Sequence, residues 1–269
     1  MKKDLTVVKA NKLIEASYRL SLTEQRLVLF CISQMDSVQG IYGKKDEFRI
    51  SVKDYQAFFG LTGKSVYRDI KAAEEHFFDR KFSYVNPETG RVRKTRWISA
   101  VEYDSDEGVT LQFSQDVLPF LSQIKGNYTQ YRLEVISNLS SVHSIRIYEL
   151  CLQYLKIGER VTGVEELKMI LGLENQYSAY KDFNKWVLKP SIEQINKHTD
   201  IRIQMEPVKK PRKIIALKFK IKSKEKSHKK VSKQKIDSEL KKIFSEETQE
   251  IPFTKAKNKK LKKPSFTIQ

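Results

Sequence analysis

The chain has 269 residues, 51 Lys or Arg against 33 Asp or Glu, a net charge of +18 and two cysteines. That length suits two domains with modest cores. Cys31 and Cys151 both sit in apolar helix-like runs, which excludes a disulfide framework or multi-cysteine zinc site and fits a reducing, cytoplasmic setting. The charge makes an anionic partner the default, nucleic acid or an acidic membrane surface.

The N-terminus starts basic, but Lys9, Asn11, Lys12 and Glu15 interrupt its apolar residues, so it reads as neither signal peptide nor membrane span. Ser21-Leu-Thr-Glu24 has the form of a capping box and predicts an apolar helix through Met35. Phe48-Arg-Ile50 is long enough only for a single short strand, pairing with the basic hairpin that follows the next two helices. Ser51 then caps a helix whose Val52, Tyr55, Phe58 and Phe59 share one face and which Gly60 ends. A further helix begins near Lys64, with Val66, Ile70, Ala73 and Phe77 inward and Lys64, Ser65, Tyr67, Arg68 and Lys71 around its N-terminal half. Arg80 to Trp97 holds six Lys or Arg, including Arg91, Arg93 and Lys94, against Glu88 alone, and reads as a β-hairpin turning at 87–90 and running on to Asp104.

Asp104, Asp106 and Glu107 belong to a turn, and Tyr128, Tyr131 and Leu133 to Leu139 to a connection between domains. Ser140 is the expected cap of a helix through Leu155, followed by a short strand at Glu159-Arg-Val161 and a helix ended by Gly172. The next helix starts near Ser178 and carries Gln176, Ser178, Lys181, Asn184 and Lys185 about its first turns, with Phe183 and Val187 inward. Pro190 should kink or restart it. Pro207 to Lys222 carries seven Lys or Arg and no acid, with Lys209, Lys210, Arg212 and Lys213 around the turn of a second hairpin. From Ser223 on, 14 lysines and 6 acids with few large apolar residues read as a mostly disordered basic tail, although Ile236, Leu240, Ile243 and Phe244 form a short helical stripe.

The two halves repeat each other. Val52 to Leu61 matches Val164 to Leu173 with both copies ending in Gly-Leu, Tyr67-Arg-Asp-Ile matches Tyr180-Lys-Asp-Phe, and Arg26 to Ile32 matches Arg146 to Leu152, which puts Cys31 opposite Cys151. Each copy reads helix, short strand, helix, turn, helix, basic hairpin: a helix-turn-helix with a wing. The polar residues on each third helix stand where a recognition helix meets base edges, and the hairpin lysines and arginines suit phosphates. A lone basic hairpin is often only edge-strand protection. Its recurrence after the same helix pair favours DNA.

The segments Ser17 to Met35, Leu133 to Tyr154 and Tyr180 to Ile203, in that order, resemble the plasmid replication initiators that bind iterons, the direct repeats at an origin, through tandem winged-helix domains. The resemblance spans roughly Leu5 to Lys222. It implies an α+β fold of two winged helices and a protein that binds iterons as a monomer, represses its own promoter as a dimer through the first domain, opens the origin and helps load the host helicase. Double-stranded DNA, a second copy of the chain, and the host initiator and helicase are the partners so implied, with no cofactor and no membrane. The family's second recognition helix is arginine-rich around its Asp-Phe step, where this chain has Asn184 and Lys185. The binding mode therefore carries over and the base preference does not. The expected divisions are 1–132 for the first winged helix, 133–222 for the second and 223–269 for the tail.

Enzymatic alternatives lack their residues. A rolling-circle nicking enzyme needs two histidines separated by one residue, but His76, His143, His198 and His228 are scattered. Gly60-Leu-Thr-Gly-Lys-Ser65 has two residues between its glycines where a phosphate loop needs four. A winged-helix transcriptional regulator with no role at an origin needs the same residues as an initiator, and only the neighbouring DNA separates the two.

Overall fold

The computed structural model describes residues 5–35, 47–86, 89–104, 108–121, 126–211 and 213–224. Arg212, Asp106, Glu107 and the tail stripe from Ile236 to Phe244 lie outside the described residues. The chain opens with β1 (Thr6–Ala10), one helical turn α1 (Asn11–Ile14) and the two-residue β2 (Ser17–Tyr18). α2 (Leu22–Ile32) starts from the expected capping box: Ser21 Oγ accepts from the Glu24 N–H at 3.2 Å, and the Ser21 N–H donates to Glu24 Oε2 at 2.6 Å. The helix stops at Ile32, short of Met35. β3 (Glu47–Ile50) leads into α3 (Val52–Phe59), where Ser51 Oγ accepts from the Asp54 N–H at 3.4 Å. Gly60, at φ 63, ends α3 in the left-handed conformation that a side chain disfavours. α4 (Ser65–Phe77) buries Val66, Ile70, Ala73 and Phe77 along one stripe.

The segment after α4 differs from the expectation. In place of one hairpin there are two: β4 (Lys81–Val85) with β5 (Val92–Arg96), then β6 (Ile98–Asp104) with β7 (Gly108–Phe113). Trp97 divides them. It is fully buried, its backbone N–H donates to the Arg80 carbonyl at 3.2 Å, and its own carbonyl accepts from the Ser114 backbone N–H at 3.0 Å. Anchoring this ring in the core ends the first ladder and starts the next. Consequently β3 pairs with β7 in the order β3-β7-β6, while the basic β4-β5 hairpin pairs with β2 in a separate sheet.

A 3-10 turn at Leu118–Phe120 precedes β8 (Tyr128–Arg132), which pairs antiparallel with β1 from Thr6↔Arg132 to Ala10↔Tyr128. A second 3-10 turn at Leu133–Ile136 leads to α5 (Val142–Leu152). Its cap is Ser141, whose Oγ accepts from the His143 N–H at 3.2 Å; the expected cap, Ser140, uses its N–H on Gln194 Oε1 at 3.0 Å. β9 (Glu159–Gly163), α6 (Val164–Ile170), α7 (Tyr180–Phe183), α8 (Lys189–His198), β10 (Ile201–Lys210) and β11 (Lys213–Ser223) complete the second half. A single π-helical turn, Asn184–Leu188, joins α7 to α8. Pro190 sits in the first turn of α8. It has no N–H to offer the carbonyl four residues back and its ring crowds that carbonyl, so the chain widens just before it.

The second sheet runs β9-β11-β10, the same order as β3-β7-β6. Each half is thus a winged helix, and β4-β5 is an addition to the first. The buried apolar residues of both halves, from Val7 to Ile221, form one continuous cluster. Among the described residues no helix is long and apolar enough to cross a membrane.

Candidate nucleic-acid interface

In the first half, the turn between α3 and α4 is held by Gln56, whose Nε2 donates to the Gly63 carbonyl at 3.2 Å. The phosphate-loop-like string is therefore a helix C-cap and a turn between helices. Lys64, Ser65, Arg68 and Lys71 are exposed at the start of α4, whereas Tyr67 is half-buried and packs on the core. Arg68 Nε lies 3.7 Å from Asp69 Oδ1, and at 80% exposure that pair leaves the guanidinium available to a stronger anion.

In the second half Ser178, Lys181 and Lys185 are exposed, but Gln176 and Asn184 are half-buried. Asn184 Oδ1 is enclosed and has no hydrogen-bond partner among the described residues. The exposed face of α7 and the π turn instead carries Lys181, Asp182, Lys185 and Trp186, continuing to Lys189, while Phe183, Val187 and Leu188 point into the core. Trp186 is 62% exposed, with Lys185 Nζ 4.4 Å from its ring centroid. It falls one residue before Val187 in the buried i, i+4 series from Phe183, which was the signal that it lay outside the core.

The wings place their cations at different points. β10 and β11 pair over ten and eleven residues, with Lys209, Lys210 and Lys213 exposed at the tip beside a register shift at Val208/Lys209. Nearer the base of this wing, lysines meet acids, Lys218 with Glu159 at 2.7 Å and Lys220 with Glu206. Ser178 and Lys213 line one cleft of about 320 Å³, so the recognition-helix entry and the wing tip are neighbours. In the first half, the hairpin equivalent to that wing, β6-β7, has no Lys or Arg and carries Glu102 and Asp104. Arg93 and Lys94 are exposed on β5 of the added hairpin and Arg91 just before it, and Arg93 Nη2 is 2.7 Å from Asp116 Oδ1.

The halves are clasped by buried charge that sequence reading missed. Lys9 Nζ donates to both Glu149 carboxylate oxygens at 2.9 Å, both side chains being fully buried, and the Tyr131 hydroxyl donates to Glu149 Oε1 at 2.7 Å. Arg160 forms a bidentate pair with Glu15 at 2.7 and 2.8 Å. Arg146 Nη2 donates to the carbonyls of Ala16 and Ile170 at 2.8 and 2.9 Å, and its equivalent, Arg26, donates to those of Ser137 and Leu139 at 3.3 and 3.0 Å. The signals were present: Glu149 stands where the first copy has Leu29, and Lys9 lies two residues from buried Val7 on the same strand face. Tyr18, Arg19, Arg80, His143, Arg146 and Gln176 line a cavity of about 400 Å³ at this junction. Burial, with Arg146 and Arg19 nearby, lowers the His143 imidazole's pKa.

Burial pushes up the thiol pKa of both cysteines, Cys151 to about 12, which makes them apolar fillers at equivalent core positions. Among the described residues no cluster of His, Cys, Asp and Glu is arranged to hold a metal ion.

Comparison with known proteins agrees with this architecture. The family model described as "Initiator Replication protein, WH1" matches residues 6–152, and that described as "Initiator Rep protein, WH2" matches residues 163–221. A replication initiation protein of Escherichia coli is 26% identical over 216 residues, which is 77% of this chain and 67% of the relative. An uncharacterized 27.6 kDa Escherichia coli protein is 26% identical over 215 residues, 75% of this chain and 89% of the relative. The crystal structure of Pi initiator protein in complex with iteron DNA aligns with a TM-score of 0.71 at 23% identity, covering 84% of this chain and 100% of that one, a likeness of fold.

Proposed function

We infer the function from one premise: the chain belongs to the initiator replication protein family. It is a plasmid replication initiator that binds direct repeats at its origin through both winged helices. The observation that carries this reading is in the second half, where the exposed first turns of the third helix, with Ser178, Lys181 and Lys185, open on the same cleft as Lys213 at the basic wing tip. In the first half Lys64, Arg68 and Lys71 on α4 and Arg91, Arg93 and Lys94 on the added hairpin are likewise exposed. The helix side chains meet base edges in the major groove and the hairpin cations meet phosphates. The solved Pi initiator with iteron DNA supplies the precedent for such a fold on direct repeats. On this reading the protein acts by binding and marking or opening the origin for host replication proteins, with no catalytic step of its own. A dimer formed through residues 1–132 represses its own promoter, and residues 133–222 supply most of the sequence recognition.

Footprinting on the DNA beside its gene tests this. Two recognition helices in successive major grooves protect about 20 base pairs per repeat, repeated in direct orientation. Protection of one lone inverted repeat would instead mark a simple repressor, and protection of a single helical turn would leave one half idle.

A further inference from the structure

The tryptophan on the second recognition helix has no role in the reading so far. Of the two tryptophans, Trp97 is fully buried, whereas Trp186 is 62% exposed on the π turn. Single exposed apolar residues are ordinary, but three features set this one apart. It lies on the same exposed face as Lys181, Lys185 and Lys189, with Asp182 the one acid there, so cations predominate around the apolar plate. Lys185 Nζ rests over the ring, 4.4 Å from its centroid, while the residue as a whole stays 62% exposed. The wide turn ahead of Pro190 carries the ring, while Phe183, Val187 and Leu188 on either side of it hold the turn to the core.

We propose that Trp186 reads thymine, laying its indole against 5-methyl groups in the major groove of the bound DNA. The inference rests on the second half being a sequence-reading DNA binder. A cationic frame with an apolar centre matches a surface that is anionic at its rims and apolar at its floor. In duplex DNA the floor of the major groove offers one apolar group, the thymine methyl, and cytosine presents an amino group on the neighbouring carbon and no methyl. An indole has one donor and no acceptor, so it distinguishes bases chiefly by what it covers. Lys181, Lys185 and Lys189 then divide between phosphates and purine acceptors around it, and T·A pairs are favoured at the positions under the ring.

The test uses the full-length chain and the direct-repeat duplex from beside its gene, synthesised either with thymine or with uracil, which keeps every hydrogen-bonding group and removes only the methyls. The wild-type protein is expected to lose roughly four-fold in affinity for each methyl covered when thymine becomes uracil. Trp186→Ala should bind the two duplexes equally, both more weakly than wild type binds the thymine duplex. Trp186→Phe should keep part of the thymine preference. Because Trp97 is buried, emission open to acrylamide reports Trp186, and the thymine duplex should shield it. If wild type still prefers the repeats to a scrambled duplex yet treats thymine and uracil alike, or the indole stays quenchable in the complex, the thymine contact is refuted and the initiator reading stands. If wild type does not distinguish repeats from scrambled DNA, the initiator reading falls and the thymine contact falls with it.

Discussion

The two winged helices share a frame and differ in where they put charge. Both run helix, strand, helix, helix and a hairpin closing a three-stranded sheet with the same strand order. In the second half the closing hairpin is long and basic at its tip. In the first it is short and acidic, and the exposed arginines sit on an added hairpin that pairs with β2. The third helices diverge likewise: α4 is a regular helix of 13 residues, while its counterpart passes through a π turn and a proline. Duplication thus preserves what the core needs, namely caps, glycines and apolar stripes, and leaves each surface to diverge. On the proposed function, the second half is the reader of sequence.

The largest effect tests the clasp that makes the halves one body. Glu149→Ala strands the buried Lys9 ammonium and the Tyr131 hydroxyl, and urea titration should show a loss of about 3–5 kcal/mol. Adding Lys9→Met should recover much of it, because the uncompensated charge is then gone. A Glu149→Ala variant as stable as wild type would mean that the halves do not depend on this pair.

Next, the two hairpins can be set against each other. Replacing Lys209, Lys210 and Lys213 by Ala should weaken cognate and random DNA alike and reduce the slope of log affinity against log salt by roughly 0.9 for each lysine that meets a phosphate. The matching Arg91, Arg93 and Lys94 triple should change that slope less, since Arg93 is held by Asp116. Equal changes would make the hairpins equivalent on DNA despite their different places in the sheets.

Lys185→Ala should cost roughly 1–3 kcal/mol of discrimination between cognate and random duplex, and Lys71→Ala less. A Lys185 variant that loses equally on both duplexes would assign that residue to a phosphate. The smallest effect is in pH. Burial lowers the His143 pKa in the folded protein, so on acidification the unfolded chain takes up its proton first. Stability from this group is complete above the unfolded value of about 6.5 and is lost as pH falls through the lowered folded value. His143→Gln should flatten that part of the stability profile, and an unchanged profile would show that the junction is insensitive to this imidazole.

Much of this fold was legible in the sequence because it is fixed by local rules. The Ser21 capping box, the Ser51 cap, the Gly60 and Gly172 helix ends and the apolar stripe of α4 depend on neighbours within a few residues. The second wing was legible too, since its alternation and charge are continuous. What escaped depends on distant partners. Nothing near Trp97 announces that its ring breaks a strand in two, because the reason is a packing site that includes Tyr18 of β2 and Phe82 of β4. The partner of β3 was misread for the same reason. Lys9 and Glu149 look like surface charges until the tertiary contact buries them. Of the proposed DNA contacts, the lysines on the second helix and wing stand exposed as expected. Asn184 and Gln176 turn partly inward, a consequence of the π turn and the junction cavity that helical spacing alone does not contain.

The pairing of β1 with β8, and of Lys9 with Glu149 at a separation of 140 residues, governs how the protein emerges from the ribosome. At about 5–20 residues per second, the N-terminal strand waits roughly 7–30 s before its counter-charge has been synthesised. Until then β1 and α1 have no completed site to dock into, so the first half cannot finish before α5 has been made. A product ending before α5 would expose the Lys9 strand and the apolar face beneath it to chaperones and proteases.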